Sequence, residues 1–234
     1  MISALELGNS RSKLTRFDMN GVPMGETRYF DAGDMQWQRE IPSNDVLRIG
    51  NTSGVTLSAP WAEQVVTLSH PWPFEFDCSP DLGIDRCLAM LGARQKQPQG
   101  PLAVISCGTC LTGTLLTDQN VLLGGPISPG WSTRLESMAD YAPALPRLSA
   151  VAQRLSSMGS RTTKDSMLQG SYEGMLAEIQ RIIHLWTQEY PNLTIFLTGG
   201  DGPAFAKPLE SGIFAASNLE ALGLFAQYSY EQNQ

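Results

Sequence analysis

A strand, a short glycine-bearing polar turn and a second strand occur twice in this chain, first from Ile2 and again from Leu102. Residues 2–7 alternate in polarity and run into Gly8-Asn9-Ser10, after which Lys13-Leu14-Thr15-Arg16-Phe17 returns and is closed by Asn20-Gly21. That pattern predicts a β-hairpin. In the second copy the apolar run Leu102 to Ser106 meets Cys107-Gly108-Thr109, and Thr112 to Leu116 returns; Val121-Leu122-Leu123 then leads to Gly124-Gly125. A duplicated opening of this kind predicts two related α/β halves, each presenting a hairpin tip to a shared cleft. The spacer Gln95-Lys96-Gln97-Pro98-Gln99-Gly100-Pro101 has the richest linker composition in the chain. It places the expected division at residues 1–100 and 101–234, with a closing helix that packs back on the first half.

Between the hairpins, Val46 to Ile49, Val55 to Leu57 and Val65 to Leu68 read as short strands among Pro and Gly breaks, and a helix is expected to start near Asp85. Leu145 to Met158, Ser166 to Tyr190 and Asn218 to Tyr230 carry apolar residues at helical spacing. Between the last two, Leu193 to Leu197 is a strand running into Thr198-Gly199-Gly200-Asp201-Gly202. Glycines at a strand end let a ligand come close to the backbone, so three such turns are candidate ligand-facing turns.

With 234 residues and 42% hydrophobic content, the chain can bury one large core or two small ones. Its formal net charge of -7, without a Lys or Arg cluster, argues against wrapping nucleic acid or lying on anionic lipid. No run approaches the roughly 18 apolar residues of a membrane span. The first residues lack a basic segment followed by an apolar one, and the four cysteines form no disulfide framework, so a cytoplasmic protein is expected.

Neither a G-x-x-x-x-G-K-[ST] loop nor a helix-opening G-x-G-x-x-G is present, so a bound nucleotide would be held in another way. Cys107-Gly108-Thr109-Cys110 is a C-x-x-C, but it lies between strands and lacks a second paired motif, which leaves redox or metal chemistry the weaker reading. His70 and His184 read as structural. Asp85-Arg86 at a helix start sets a proton acceptor beside a clamp for an anionic substrate, while a solvated helix cap is the plainer alternative.

Taken together, the motifs resemble those of the type III pantothenate kinases, a family with the acetate and sugar kinase/Hsc70/actin fold. Glu6-Leu7-Gly8-Asn9-Ser10-Arg11-Ser12-Lys13 resembles the family's D-x-G-N-[TS]-x-x-K phosphate loop, and Leu82-Gly83-Ile84-Asp85-Arg86 resembles its L-G-x-D-R. Gly108-Thr109 stands in place of the D-x-G-T-A turn, and Gly124 to Gly130 is similar to G-G-x-I-x-P-G. Ala144-Leu145-Pro146, Thr163 seven residues before Gly170, and Thr198-Gly199-Gly200-Asp201 follow in the family's order. The resemblance covers the whole chain. It implies two actin/ribonuclease H-like domains of mixed sheet plus helices, and ATP-dependent phosphorylation of pantothenate to 4'-phosphopantothenate, the first step of coenzyme A biosynthesis.

By the same resemblance, Asp85 accepts the proton of the pantothenate hydroxyl, and Phe76, Gly83, Ile84, Asp85, Arg86 and Thr163 hold the substrate. Residues Glu6, Leu7, Gly8, Asn9, Ser10, Arg11, Ser12 and Lys13 cradle the ATP phosphates with Mg²⁺, Thr109 contacts ATP, and position 106 belongs to a monovalent cation, K⁺ or NH₄⁺. The family's members are homodimers. This chain departs from the family pattern at four places: Glu6 and Ser106 stand where the family has Asp, Thr114 replaces a later Asp of the same strand, and Phe76 replaces a Tyr. The alternative reading is a homologue that binds nucleotide or pantothenate without turnover, as an accessory or regulatory protein.

Overall fold

The computed structural model describes residues 1–150, 159–209 and 213–234. In chain order its elements are β1 (Ile2–Leu7), β2 (Arg11–Phe17), β3 (Arg28–Asp31), α1 (Trp37–Glu40), β4 (Val46–Asn51), β5 (Glu75–Asp77) and α2 (Ile84–Lys96). They continue with β6 (Leu102–Cys107), β7 (Cys110–Leu116), β8 (Val121–Leu123), β9 (Ile127–Pro129), α3 (Trp131–Tyr141) and α4 (Thr163–Glu189). The last are β10 (Thr194–Thr198), α5 (Gly202–Ala206), β11 (Ile213–Ala215) and α6 (Leu219–Gln232).

The two hairpins have closely matching burial. In both β1 and β6 every residue is buried except the fifth, which is half-buried, and these fifth residues are Glu6 and Ser106. Strands buried on both faces read as near-continuous apolar runs, and the half-buried polar residue near the end of each marks where the strand end meets solvent.

One compact unit contains Met1–Leu102, Thr114–Gly124 and Asn218–Gln234. Thr114–Gly124 and Asn218–Gln234 thus belong to it although they follow residue 100 in sequence. Its four-stranded sheet has the order β3-β2-β1-β4, with β1 and β4 parallel and the other pairs antiparallel. Leu5, Leu7, Leu14, Trp37, Leu47 and Ile49 form one apolar cluster of this unit. Within it β8 pairs with the Leu115–Leu116 end of β7 and with β5. The other unit contains Ala103–Gly113 and Gly125–Ser217. There β9 pairs antiparallel with the start of β7, and β10 pairs parallel with β11. The apolar stripe of α4, including Met167, Tyr172, Met175, Ile179 and Ile182, is buried at helical spacing, and Trp131, Tyr172 and Phe205 stack in the core.

Three expectations from local pattern are corrected. Residues 145–150 are not helical, and the rest of the expected Leu145 to Met158 helix, 151–158, lies outside the described residues. Val55 to Leu57 forms no strand, and Val65 to Leu68 is reduced to a single bridge between Val65 and Ile49. Val55 to Leu57 and Val65 to Leu68 are flanked by Ser53-Gly54, Ser58-Ala59-Pro60 and Ser69-His70-Pro71, and Leu57 and Val65 pack against the apolar cluster without a continuous ladder of hydrogen bonds.

The first unit is organised by α2 and α6, which touch backbone to backbone. A Cβ added at Gly92 would lie 2.0 Å from the Leu219 carbonyl oxygen, and one at Gly223 would lie 1.9 Å from that of Leu88. Each helix therefore supplies the glycine that the other's backbone needs. Gly223→Ala forces the helices apart and is expected to destabilise the protein by about 3 kcal/mol, measured as a lowered urea midpoint; an unchanged midpoint would contradict this close crossing.

Candidate functional site

In the first unit the predicted site residues lie on the β1–β2 hairpin, the N-terminus of α2 and, for Phe76, strand β5. The hairpin register sets Glu6 opposite Lys13, whose Nζ donates to Glu6 Oε2 at 2.9 Å. On the other side Glu6 faces Gly50 of β4, where a Cβ would meet Leu88 at 2.8 Å, so no side chain of β4 competes for that space. At the hairpin end, the Gly8 amide donates to the Arg11 carbonyl at 3.2 Å, and the Arg11 guanidinium lies 5.9 Å from the centre of the Tyr29 ring. Leu7 and Ser12 are buried.

Glu6 ionises less readily than an ordinary carboxyl. Its pKa is raised from 4.5 to about 7, by burial first and then by Glu220 and Asp85, with the Lys13 ammonium only partly offsetting them. The Glu6 side chain is 13% exposed, and its Oε1 is enclosed without a hydrogen-bond partner. Burial lowers the pKa of Lys13, but its attraction to Glu6 and Glu220 outweighs this and raises it overall. Glu220, in the first turn of α6, is a member of this cluster that the sequence reading missed. Nothing in the local pattern around Glu220 signals its role, because only the α2–α6 packing brings it near the hairpin.

Gly83, at φ -57° and ψ 132°, caps the start of helix α2, whose first residue is Ile84 and second Asp85. A Cβ on Gly83 would lie 2.5 Å from Asp85 Oδ1. Glycine is thus what lets the carboxylate fold back over the helix start, where the amides of Asp85 and Arg86 donate to it. Burial nevertheless dominates and raises the Asp85 pKa above its usual 3.8. Asp85 is half-buried and is not the solvated cap that spacing alone favoured. Arg86 is buried, with its Nε donating to Thr114 Oγ1 at 2.9 Å. Phe76, on β5, is 38% exposed and packs against Trp72 and Phe74, with ring centres 6.2 and 5.4 Å away.

The second unit holds Ser106, Thr109 and Thr163. Thr109 sits in the β6–β7 turn, and its carbonyl accepts from the Gly130 amide at 2.9 Å and from Thr133 Oγ1 at 2.6 Å. The Thr198-Gly199-Gly200-Asp201 turn closes on the same strand end. The Asp201 amide donates to the Cys107 carbonyl at 3.0 Å, and Gly199, at φ +89°, comes so near Cys107 that an added Cβ would lie 2.3 Å from that oxygen. Thr163 is exposed at the first turn of α4, behind Thr162, whose side chain accepts from the Asp165 amide. Burial pushes the Cys107 thiol up to about 12, so it supplies no thiolate near neutral pH. Among the described residues, no three His, Cys, Asp or Glu side chains gather to hold a metal, and no helix is long and apolar enough to cross a membrane.

A sequence model of the type III pantothenate kinases matches residues 57–185. The type III pantothenate kinase of Flavobacterium psychrophilum is 32% identical over 97% of this chain and 99% of its own length. That of Phocaeicola vulgatus is 30% identical over 97% of both. The chain belongs to the type III pantothenate kinase family. Among solved structures, a Baf family protein of Campylobacter jejuni matches all of both chains with a TM-score of 0.66 at 18% identity. A ROK family glucokinase of Streptomyces griseus, in complex with glucose and AMPPNP, covers 100% of this chain and 99% of its own at a TM-score of 0.56 and 14% identity. At those identities the likeness establishes the fold, the α/β actin-like architecture of two related halves.

The raised Glu6 pKa has a measurable consequence. Between about pH 4.5 and about 7 the folded protein holds a proton on Glu6 that the unfolded chain has released, so stability falls as pH rises through this window. Below the window both states are protonated and this loss is absent. Glu6→Gln should remove that part of the slope, and parallel urea-midpoint profiles of the two proteins from pH 4.5 to 7 would contradict it.

Proposed function

We propose that the protein phosphorylates the hydroxyl of pantothenate with ATP, yielding 4'-phosphopantothenate, the first step of coenzyme A biosynthesis. The observation that carries this reading is the half-buried Asp85 at the start of α2, followed by a buried Arg86 and electrostatically coupled to Glu6 of the hairpin. Family membership supplies the substrate; the geometry supplies a means of acting on it.

Asp85 accepts the hydroxyl proton. Desolvation makes its carboxylate more basic than a solvated one, and a base whose pKa is raised towards the working pH transfers protons more effectively. Arg86 offers a guanidinium to the substrate's carboxylate, with Gly83 and Ile84 shaping the backbone beside it; Phe76 and Thr163 complete the proposed substrate contacts. The β1–β2 hairpin, residues 6–13, receives the ATP phosphates, with Lys13 as cation, and Thr109 contacts the nucleotide. Phosphoryl transfer requires little covalent chemistry from a protein beyond such positioning and charge neutralisation.

The residues present fit a Mg²⁺ ion. Mg²⁺ is commonly held by one or two carboxylates together with substrate phosphates, and Glu6 provides one enclosed carboxylate oxygen that lacks a protein partner. Bound there, the ion would neutralise phosphate charge. A monovalent cation at Ser106 would find a hydroxyl oxygen without a negative charge. A homodimer and a cytoplasmic location belong to the same proposal.

Coupled ADP release with pantothenate and Mg·ATP tests the reading; absence of pantothenate-dependent ADP at any K⁺ or NH₄⁺ concentration would overturn it. Asp85→Asn should lower kcat/KM by about 10²- to 10⁴-fold while leaving stability at pH 8 unchanged or raised, because burial disfavours the ionised Asp85. In a separate titration, turnover should persist without K⁺ or NH₄⁺, and a strict requirement for either would contradict the assignment at Ser106.

A further inference from the structure

Arg86 is a charged side chain enclosed in the first unit, 7% exposed, and Thr114 beside it is 2% exposed. Enclosing a guanidinium is costly unless its donors are satisfied and its geometry is held. Here the Nε–H donates to Thr114 Oγ1 at 2.9 Å. Thr114 lies on β7 where that strand meets β8, next to the Leu115–Leu123 pair, so its hydroxyl is borne by a fixed strand. A β-branched side chain in a strand has few rotamers, which restricts the hydroxyl further.

We propose that Thr114 is a positioning residue for substrate binding: by accepting the Arg86 Nε–H, its hydroxyl sets the plane of the guanidinium so that the terminal nitrogens meet the pantothenate carboxylate in one orientation. The inference rests on the kinase reading given above. Guanidinium and carboxylate recognise each other as planar forks, so the tilt of the guanidinium decides whether two parallel hydrogen bonds or one can form. A hydroxyl performs this task without charge. A carboxylate, which the family pattern carries at position 114, would hold Arg86 through a charged acceptor, and the Thr114 hydroxyl holds it through a neutral one.

Steady-state kinetics of Thr114→Val, Thr114→Ser and Thr114→Asp test the proposal. Valine keeps the shape and removes the acceptor, so the pantothenate KM should rise about tenfold while kcat and the ATP KM stay within about twofold, the signature of lost ground-state binding. Serine keeps the acceptor and should restore a near wild-type KM. Aspartate, the residue of the family pattern, also keeps an acceptor for the Arg86 Nε–H and should likewise hold a near wild-type KM. A valine variant with unchanged pantothenate KM, or one in which kcat and both KM values worsen together, overturns the proposal. Should the valine variant fail to fold, Thr114→Ala removes the acceptor in its place, and an unchanged pantothenate KM in that variant overturns the proposal instead. Absence of turnover in the wild type marks failure of the kinase reading, and the proposal falls with it. An active wild type with an indifferent Thr114 marks failure of this inference alone.

Discussion

Helices α2 and α6 meet at a distance that only glycine permits, with Gly92 against the Leu219 carbonyl and Gly223 against that of Leu88. This contact couples the end of the chain to its first hundred residues. The start of α2 carries Asp85 and Arg86, and the first turn of α6 carries Glu220. Because both helices also pack on the sheet of β1 and β4, their starts are brought beside the hairpin that carries Glu6 and Lys13. Three segments far apart in sequence therefore converge through packing alone.

The convergence has an electrostatic price. Glu220 and Asp85 each act unfavourably on Glu6, and among the described residues only Lys13 forms an ion pair with it. Burial and the neighbouring carboxylates outweigh that ion pair, which is why Glu6 remains reluctant to ionise although an ammonium lies 2.9 Å away. Such crowding is unfavourable for an empty site and suits one that receives a cation. Functional groups with perturbed ionisation concentrate where ligands bind, and the enclosed, unpartnered Oε1 of Glu6 is consistent with that view.

Much of the framework was legible in the sequence. Both hairpins could be read because alternation and turn chemistry are local, and the long helix α4 because its apolar residues recur along one face. Asp85 was located at a helix start from the glycine and the apolar spacing after it. Its half-burial was not legible, since exposure at a helix terminus depends on what packs over it. The same limit explains Glu220, which lies in an unremarkable first turn, and the Arg86–Thr114 bond, which joins positions 28 residues apart. Residues 145–150 of the helix expected from Leu145 to Met158 are not helical for the opposite reason: helical spacing of a few apolar residues is present, but Pro146 and Ser149 interrupt the backbone pattern needed to use it.

The sequence by itself determined the duplicated hairpins, the glycine turns, the family and the identity of the chemical groups, because each depends on residue type and short-range spacing. Tertiary structure decided which of those groups share an environment, how deeply each is buried and which way its proton equilibrium moves. Those properties arise from contacts between distant segments, above all the glycine crossing of α2 and α6, and desolvation exists only once that packing has excluded water.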